Sequence, residues 1–341
     1  MKILIAGGAG YIGSHTAVEL SAAGHDVVIV DNLCNSSEEA VRRVQALSRT
    51  GSVSFVKGDV RDESILDRAL EGVDGVMHFA ALKAVGESVE QPLEYYSNNL
   101  DSTLSLLNAT RRSNARRFVF SSSATVYGQP ERIPIDESAS IGSTNPYGRT
   151  KEFSEHILRD WCHACPDVTA VALRYFNPIG AHSSGRIGED PLQIPNNLVP
   201  YVSQVAIGRR PFVRVYGNDY GTPDGTGVRD YIHVVDLAKA HVLAAEASLT
   251  TGFHPINVGT GNGYSVLEVI HEFERASGVE IPYQIEGRRA GDIDSIWADN
   301  SLAKEKLGWS PEFDLKRMCE DTWRWQVINP RGYGYMDESN D

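Results

Sequence analysis

Short continuous runs of Val, Ile, Leu and Phe alternate with longer amphipathic stretches through the first half of the chain. The runs at 2–6, 26–30, 53–56, 75–79, 117–120 and 169–174 show no in–out alternation, so they predict strands buried on both faces. Helical spacing of apolar residues fills the gaps at 11–23, 37–47, 63–70, 93–112 and 146–164. This βαβαβ rhythm predicts an α/β fold built on a doubly wound parallel sheet with right-handed crossovers. After Phe176 the rhythm breaks. Residues 177–195 are rich in Gly, Pro, Ser and Asp, and a second Gly/Asp-rich stretch spans 217–230. Helical patterns resume at 196–207, 234–247, 266–277 and 315–327, with short strands between. A doubly wound sheet domain over 1–176 and a smaller α/β subdomain over 177–341, partly interleaved with it, are therefore expected.

The apolar fraction of 41% and charged fraction of 23% are those of a globular chain with a packed core. A formal charge of −13 repels phosphate backbones and anionic bilayers, so neither nucleic acid nor membrane is expected as a partner. A small anionic ligand stays compatible, because a few local arginines outweigh a diffuse negative surface. Cys34, Cys162, Cys165 and Cys319 make no disulfide framework. Cys162-His163-Ala164-Cys165 lacks a second pair at zinc spacing, so reduced thiols and no metal site are expected. The N-terminal Ile3-Leu4-Ile5 run is too short for a secretory core, and no apolar run approaches the roughly 18 residues of a membrane span. A cytoplasmic location is the expectation.

Gly7-Gly8-Ala9-Gly10-Tyr11-Ile12-Gly13 follows the first predicted strand and opens the first predicted helix. Gly7 permits a tight turn, Gly10 lets backbone approach a pyrophosphate, and Gly13 lets helix pack closely on sheet. The helix N-terminus offers free N–H groups and partial positive charge to phosphates. Asp31 closes the second strand, where a carboxylate accepts both ribose hydroxyls and repels a 2′-phosphate. NAD rather than NADP is therefore the expected cofactor of a Rossmann-type domain. Asp59-Val60, after the third strand, is placed to meet the adenine.

Tyr147-Gly148-Arg149-Thr150-Lys151 sets a phenol and an ammonium one helical turn apart, with Asn145 as N-cap and Pro146 as first helical residue. A free tyrosine ionises near about pH 10, so a base at neutral pH needs help; an adjacent ammonium and a cationic nicotinamide ring are expected to supply it. Ser121-Ser122-Ser123-Ala124-Thr125 lies at the end of the fifth strand, on the carboxyl edge where open α/β sheets bind ligands. Ser123 is the candidate to hydrogen-bond the reacting oxygen and share its proton with Tyr147.

The glycine loop, the serine run and the Tyr147/Lys151 pair, in this order, resemble the extended short-chain dehydrogenase/reductase family. Arg229-Asp230-Tyr231-Ile232-His233-Val234 and Ile256-Asn257-Val258-Gly259 are similar to its downstream signatures. Longer stretches resemble its UDP-hexose 4-epimerase branch: Asp31-Asn32-Leu33-Cys34-Asn35-Ser36, His78-Phe79-Ala80-Ala81-Leu82-Lys83, Arg174-Tyr175-Phe176-Asn177-Pro178 and Ile194-Pro195-Asn196-Asn197-Leu198. The likeness covers nearly the whole chain.

The resemblance implies cofactor contacts from Gly7, Gly10, Tyr11 and Ile12, then from Asp31, Asn32, Asn35 and Ser36 after the second strand. Asp59, Val60, Phe79, Ala80 and Lys83 follow after the third and fourth strands. Asn98, Tyr147, Lys151 and Phe176 complete that set. For a UDP-sugar it implies Asn177, Asn197, Leu198, Tyr216, Arg229, Arg289 and Asp292, with Ser123 and Tyr147 at the reacting sugar. The arginines suit a diphosphate on physical grounds too, since guanidinium forks onto phosphate. In Gly291-Asp292-Ile293-Asp294-Ser295-Ile296, position 296 matches a pocket site near C2. There a tyrosine is associated with excluding N-acetylated sugars. Ile296 is smaller, so some turnover of UDP-N-acetylhexosamines is expected. The implied activity is interconversion of UDP-galactose and UDP-glucose through a 4-keto sugar, with NAD bound throughout and a homodimer as the assembly.

Three other readings are compatible with the same fold. A nucleotide-sugar 4,6-dehydratase needs an Asp-Glu pair after the fifth strand, where this chain has Ser121 to Thr125 and no carboxylate before Glu131. A UDP-glucuronate 4-epimerase or decarboxylase needs contacts to a sugar carboxylate. A non-catalytic NAD-sensing regulator needs no Tyr147/Lys151/Ser123 set.

Overall fold

A computed structural model describes residues 1–192, 194–289 and 292–334. Its centre is a parallel sheet of seven strands: β1 (Lys2–Ala6), β2 (Asp26–Asp31), β3 (Val53–Lys57), β4 (Gly75–His78), β5 (Arg117–Ser121), β6 (Thr169–Tyr175) and β10 (Gly252–Val258). The order across the sheet is β10-β6-β5-β4-β1-β2-β3. The chain runs outward from β1 to β3, then crosses to β4 and runs outward the other way. The switch between β1 and β4 opens a crevice at the carboxyl ends of the strands, where ligands of such sheets bind.

Helices α1 (Tyr11–Ala22), α2 (Glu38–Leu47) and α8 (Val234–Glu246) cover one face. On the other lie α3 (Glu63–Ala69), α5 (Pro92–Arg112) and α6 (Pro146–Ala164). Alternate residues of β1 serve the two layers, Ile3 and Ile5 facing the first and Leu4 and Ala6 the second. Each fully buried Leu, Ile or Phe contributes roughly 1.5–3 kcal/mol. The continuous apolar runs are explained: both faces are covered.

A second layer of structure sits over the carboxyl edge. It holds the sheet of β7 (Asn177–Ile179), β9 (Val228–His233), β11 (Gly263–Ser265) and β13 (Ser295–Ile296), and the pair β8 (Val213–Tyr216) and β12 (Tyr283–Glu286). Helices α7 (Leu198–Ala206), α9 (Val266–Ser277) and α11 (Leu315–Ile328) pack around Phe273, Met318 and Val202 in its own core. Two helices escape the sequence pattern, α4 (Val85–Glu90) and α10 (Ser301–Leu307). Both span fewer than two turns, too short to show a period. Among the described residues no helix is long and apolar enough to cross a membrane.

Candidate active site

At the first turn, Gly7 has φ +82°, and a Cβ there would lie 2.6 Å from the Ala80 nitrogen. A Cβ on Gly13 would fall against the Gly7 carbonyl and 2.8 Å from Gly8 Cα. Helix α1 begins with Gly10 as N-cap and no side chain satisfying its first N–H groups. Asp31 ends β2 as a buried carboxylate that accepts from Ala9 N at 3.0 Å and from Leu33 N and Ser36 Oγ at 2.9 Å. Asn35 stands exposed on the same loop. Asn32 Nδ2 donates to Asp59 at 3.1 Å, and Arg61 beside Asp59 holds that carboxyl well below the usual range. Val60 is buried next to it.

Other predicted contacts already have protein partners. The Tyr11 hydroxyl donates to the Gly180 carbonyl at 2.6 Å, tying α1 to the segment after β7, and Ile12 beside it is half-buried. Phe79 stacks obliquely on His241 at 4.6 Å, and Asn98 donates to Asn99 at 3.0 Å. Phe176 is buried, with its N–H on the Val258 carbonyl. Lys83 Nζ and Asn197 Nδ2 both reach Glu189 Oε1 at 3.1 Å, so residues expected on the cofactor and on the sugar nucleotide share one carboxylate oxygen.

Asn145 caps α6 by accepting from Gly148 N at 2.9 Å, with Pro146 as first helical residue. Tyr147 and Lys151 therefore share the buried face turned toward β5. Ser123 N-caps a single 3₁₀ turn, Ala124–Tyr127, and its hydroxyl faces the Tyr147 phenol, acting to lower its pKa. It also accepts from Thr125 Oγ1 at 2.9 Å. Lys151 Nζ donates to the Ser121 carbonyl at 2.8 Å and lies 5.9 Å from the Tyr147 ring centre.

The electrostatics correct one expectation. Burial pushes the Tyr147 phenol well above its ordinary value; Tyr175 adds to this and Ser123 opposes it. Burial also lowers Lys151 to about 7, with Glu155 pulling the other way. An acidified phenol beside a permanent ammonium is thus not what the protein's own groups produce. Desolvation acts on both members of the pair, favouring the neutral form of each.

Over the crevice, Asp292 bridges two arginines, Oδ1 to Arg229 at 3.8 Å and Oδ2 to Arg289 at 3.4 Å. Arg289 lies over the Tyr216 ring at 4.4 Å. Ile296 pairs with Arg229 between β13 and β9 and is buried against Ala124, Tyr127 and Phe176. This joins the arginine cluster to the serine loop. Asn177 opens β7 with its side chain exposed, and Leu198 is the first residue of α7, after Asn197. Gly291 lies outside the described residues.

Sequence reading gave no role to Glu155, Arg174, Tyr127 or Asn257, which form a buried polar chain beneath the site. Arg174 Nη2 meets Glu155 at 2.6 Å, Arg174 Nη1 meets the Tyr127 hydroxyl at 3.0 Å, and that hydroxyl donates to Asn257 at 2.6 Å. One signal was available: Glu155 continues the 147/151 face by one more turn.

A doubly wound parallel sheet, an uncapped glycine-loop helix and a Tyr-Lys-Ser centre at the carboxyl edge define an enzyme of the extended short-chain dehydrogenase/reductase class. The family profile described as GDP-mannose 4,6 dehydratase matches residues 4–322. UDP-glucose 4-epimerase of Dictyostelium discoideum is 54% identical over 337 residues, covering 97% of each chain. The mouse enzyme (Mus musculus) is 54% identical over 343 residues, 98% of this chain and 99% of that one. The crystal structure of UDP-glucose 4-epimerase from Bifidobacterium longum in complex with NAD⁺ and UDP superposes with a TM-score of 0.94 at 52% identity, covering 97% of this chain and 100% of that one. The chain belongs to the UDP-glucose 4-epimerase family.

Proposed function

We propose that this chain interconverts UDP-galactose and UDP-glucose by inverting C4 of the hexose. The observation that carries the reading is the convergence of Ser123, at the end of β5, with the buried Tyr147 phenol, whose pKa it acts to lower, and with Lys151 one turn away and bonded to the Ser121 carbonyl. As phenolate, its own proton given up to solvent when positive charge stands beside it, Tyr147 takes the 4-hydroxyl proton and later returns it to the same oxygen, with the Ser123 hydroxyl placed to share it. Lys151, one turn away and drawn down by burial against the pull of Glu155, supplies that positive charge in its protonated form.

The residues present fit NAD: the uncapped N-terminus of α1 and the Cβ-free approach at Gly7 suit a pyrophosphate, and Asp31 suits a 2′-hydroxyl. NAD held by the glycine loop and Asp31 would supply the hydride acceptor and donor for C4. Arg229 and Arg289 grip the diphosphate, exchanging part of their hold on Asp292 for it. Anchoring by the nucleotide leaves the hexose free to turn over its phosphate link. In this reading 1–176 with the returning β10 and α8 forms the cofactor half, and the rest of 177–341 holds the UDP-sugar. Water elimination is disfavoured because the turn after β5 presents hydroxyls and Glu131 is exposed.

Purified protein given UDP-galactose and no added nicotinamide is expected to form UDP-glucose. Product that appears only with added NAD, a keto-deoxy sugar, or no product at all would each overturn the reading. Ile296, packed against the serine loop, leaves more room than tyrosine would. Turnover of UDP-N-acetylglucosamine is therefore expected, and absence of UDP-N-acetylgalactosamine product removes that extension.

We also read the assembly as a homodimer in the cytoplasm. On α4, α5 and α6, Val89 is 63% exposed, Leu93 81% and Leu104 43%, and Phe153 stacks on Tyr96 at 6.0 Å. This apolar strip suits a second copy of the same face.

A further inference from the structure

Glu155 is fully buried, its side chain 2% exposed and that of its partner Arg174 1%. Arg174 Nε reaches both its oxygens, at 3.0 and 3.2 Å, and Nη2 adds a third contact at 2.6 Å. Glu155 Oε1 also accepts from Ser122 Oγ at 2.6 Å, next to Ser123. A buried ion pair is weak evidence of stabilisation, since well-packed apolar residues of similar volume often do as well. Its place one turn beyond Lys151 and one residue below Ser123 points to the reaction centre.

We propose that Glu155 is a positioning residue of that centre: it clamps the serine loop at the end of β5 to α6 and holds Lys151 in the charged form the reaction uses. The inference rests on the assignment of Tyr147 and Lys151 to proton transfer. Around Lys151 stand Tyr147 and Glu155 on its own helix, His78 from β4, and the Phe120 ring and Ser121 carbonyl from β5; from β6, Arg174 pairs with Glu155 and Tyr175 acts on Tyr147. Among the described residues, Glu155 is the one carboxylate that acts on it. Burial draws Lys151 down to about 7 and Glu155 draws it up, so loss of that negative charge makes Lys151 lose its proton at lower pH. Ser122 provides the mechanical half of the link and carries no charge.

The test is the pH dependence of kcat on UDP-galactose, with enzyme used as purified. Glu155→Gln is expected to move the alkaline limb about one unit toward lower pH. Glu155→Asp, which keeps the charge, restores the limb while kcat stays reduced. Ser122→Ala lowers kcat by the same factor at every pH. Should Glu155→Gln fail to fold with Arg174 left unpaired, the double variant Glu155→Gln/Arg174→Gln carries the shift in the same direction. A limb that stays in place in both amide variants, with kcat reduced uniformly, overturns the proposal. Tyr147→Phe, assayed alongside, separates the two levels: full activity there removes the underlying assignment, whereas its inactivity with an unmoved limb removes only the role of Glu155.

Discussion

The Tyr147 hydroxyl is held protonated by burial, with Ser123 opposing that shift, so it is ready to exchange a proton only when a partner charge develops beside it. Tyr147→Phe deletes that oxygen and keeps the ring in its packing. It is expected to lower kcat by about 100-fold or more, the usual worth of a positioned proton carrier. NAD released by denaturation should stay near one per chain, measured by its absorbance; wild-type turnover would remove Tyr147 from the chemistry. At this scale the sequence is legible where the cause is local. One helical turn relates Tyr147 to Lys151, and a strand end places Ser123. The sense of the electrostatics was not legible, because desolvation of Tyr147 and Lys151 comes from β4, β5 and β6, which no spacing within one motif reports. The bond from Tyr11 to Gly180 is hidden for the same reason: its two ends lie far apart in the chain.

Helix α1 shows how an element carries the site. Its buried Ser14, His15 and Thr16 break the usual apolar face, yet Ser14 Oγ and His15 Nδ1 bond the Tyr11 carbonyl and Thr16 Oγ1 the Ile12 carbonyl, at 2.7–2.9 Å. The two hydroxyls and one ring nitrogen so satisfied are buried at little cost, while the other nitrogen of His15 stays unpaired among the described residues. The close seat of this helix on its own loop depends on Gly13. Gly13→Ala is expected to destabilise the fold by about 1–3 kcal/mol, since the new methyl meets backbone rather than a yielding side chain. Gel filtration should show NAD lost from the variant; an unchanged Tm with NAD retained would mean that the loop opens freely. Strands β1 to β6 were legible as apolar runs, but β10 was not placed. Its Pro255 argues against a central strand, and β10 occupies the sheet edge, beside β6, where a missing N–H is tolerated.

Across the whole molecule the doubly wound order followed from rhythm, whereas the return of β10 and α8 to the first sheet depends on long-range packing that no local pattern encodes. One consequence of that packing concerns acid. His15 on α1, His78 on β4 and His241 on α8 are buried, and among the described residues His15 Nε2, His78 Nδ1 and His241 Nε2 lack a hydrogen-bond partner. Burial lowers His15 and His78 to about 3 and His241 to about 4. An unfolded histidine titrates near about 6.5, so above that pH both states are neutral and these groups leave stability unchanged. Below it the unfolded chain takes up protons that the folded chain refuses, and stability falls continuously toward pH 3–4. Each ring contributes up to about 1.4 kcal/mol per pH unit and the three together about 4 kcal/mol, against a typical total of about 5–15 kcal/mol. Asp321, held at about 2 by its hydrogen bonds to His233 and Arg317 despite partial burial, adds a loss of the same sign at lower pH, below the ordinary carboxylate range. Urea midpoints measured at pH 7 and pH 5 should therefore drop steeply with acid. His78→Gln should be less stable at pH 7, where it loses packing, yet show a shallower decline, because one of the three proton acceptors is gone from the unfolded chain. Parallel declines in the variant and the parent would show that the histidines do not set the acid limit of this fold.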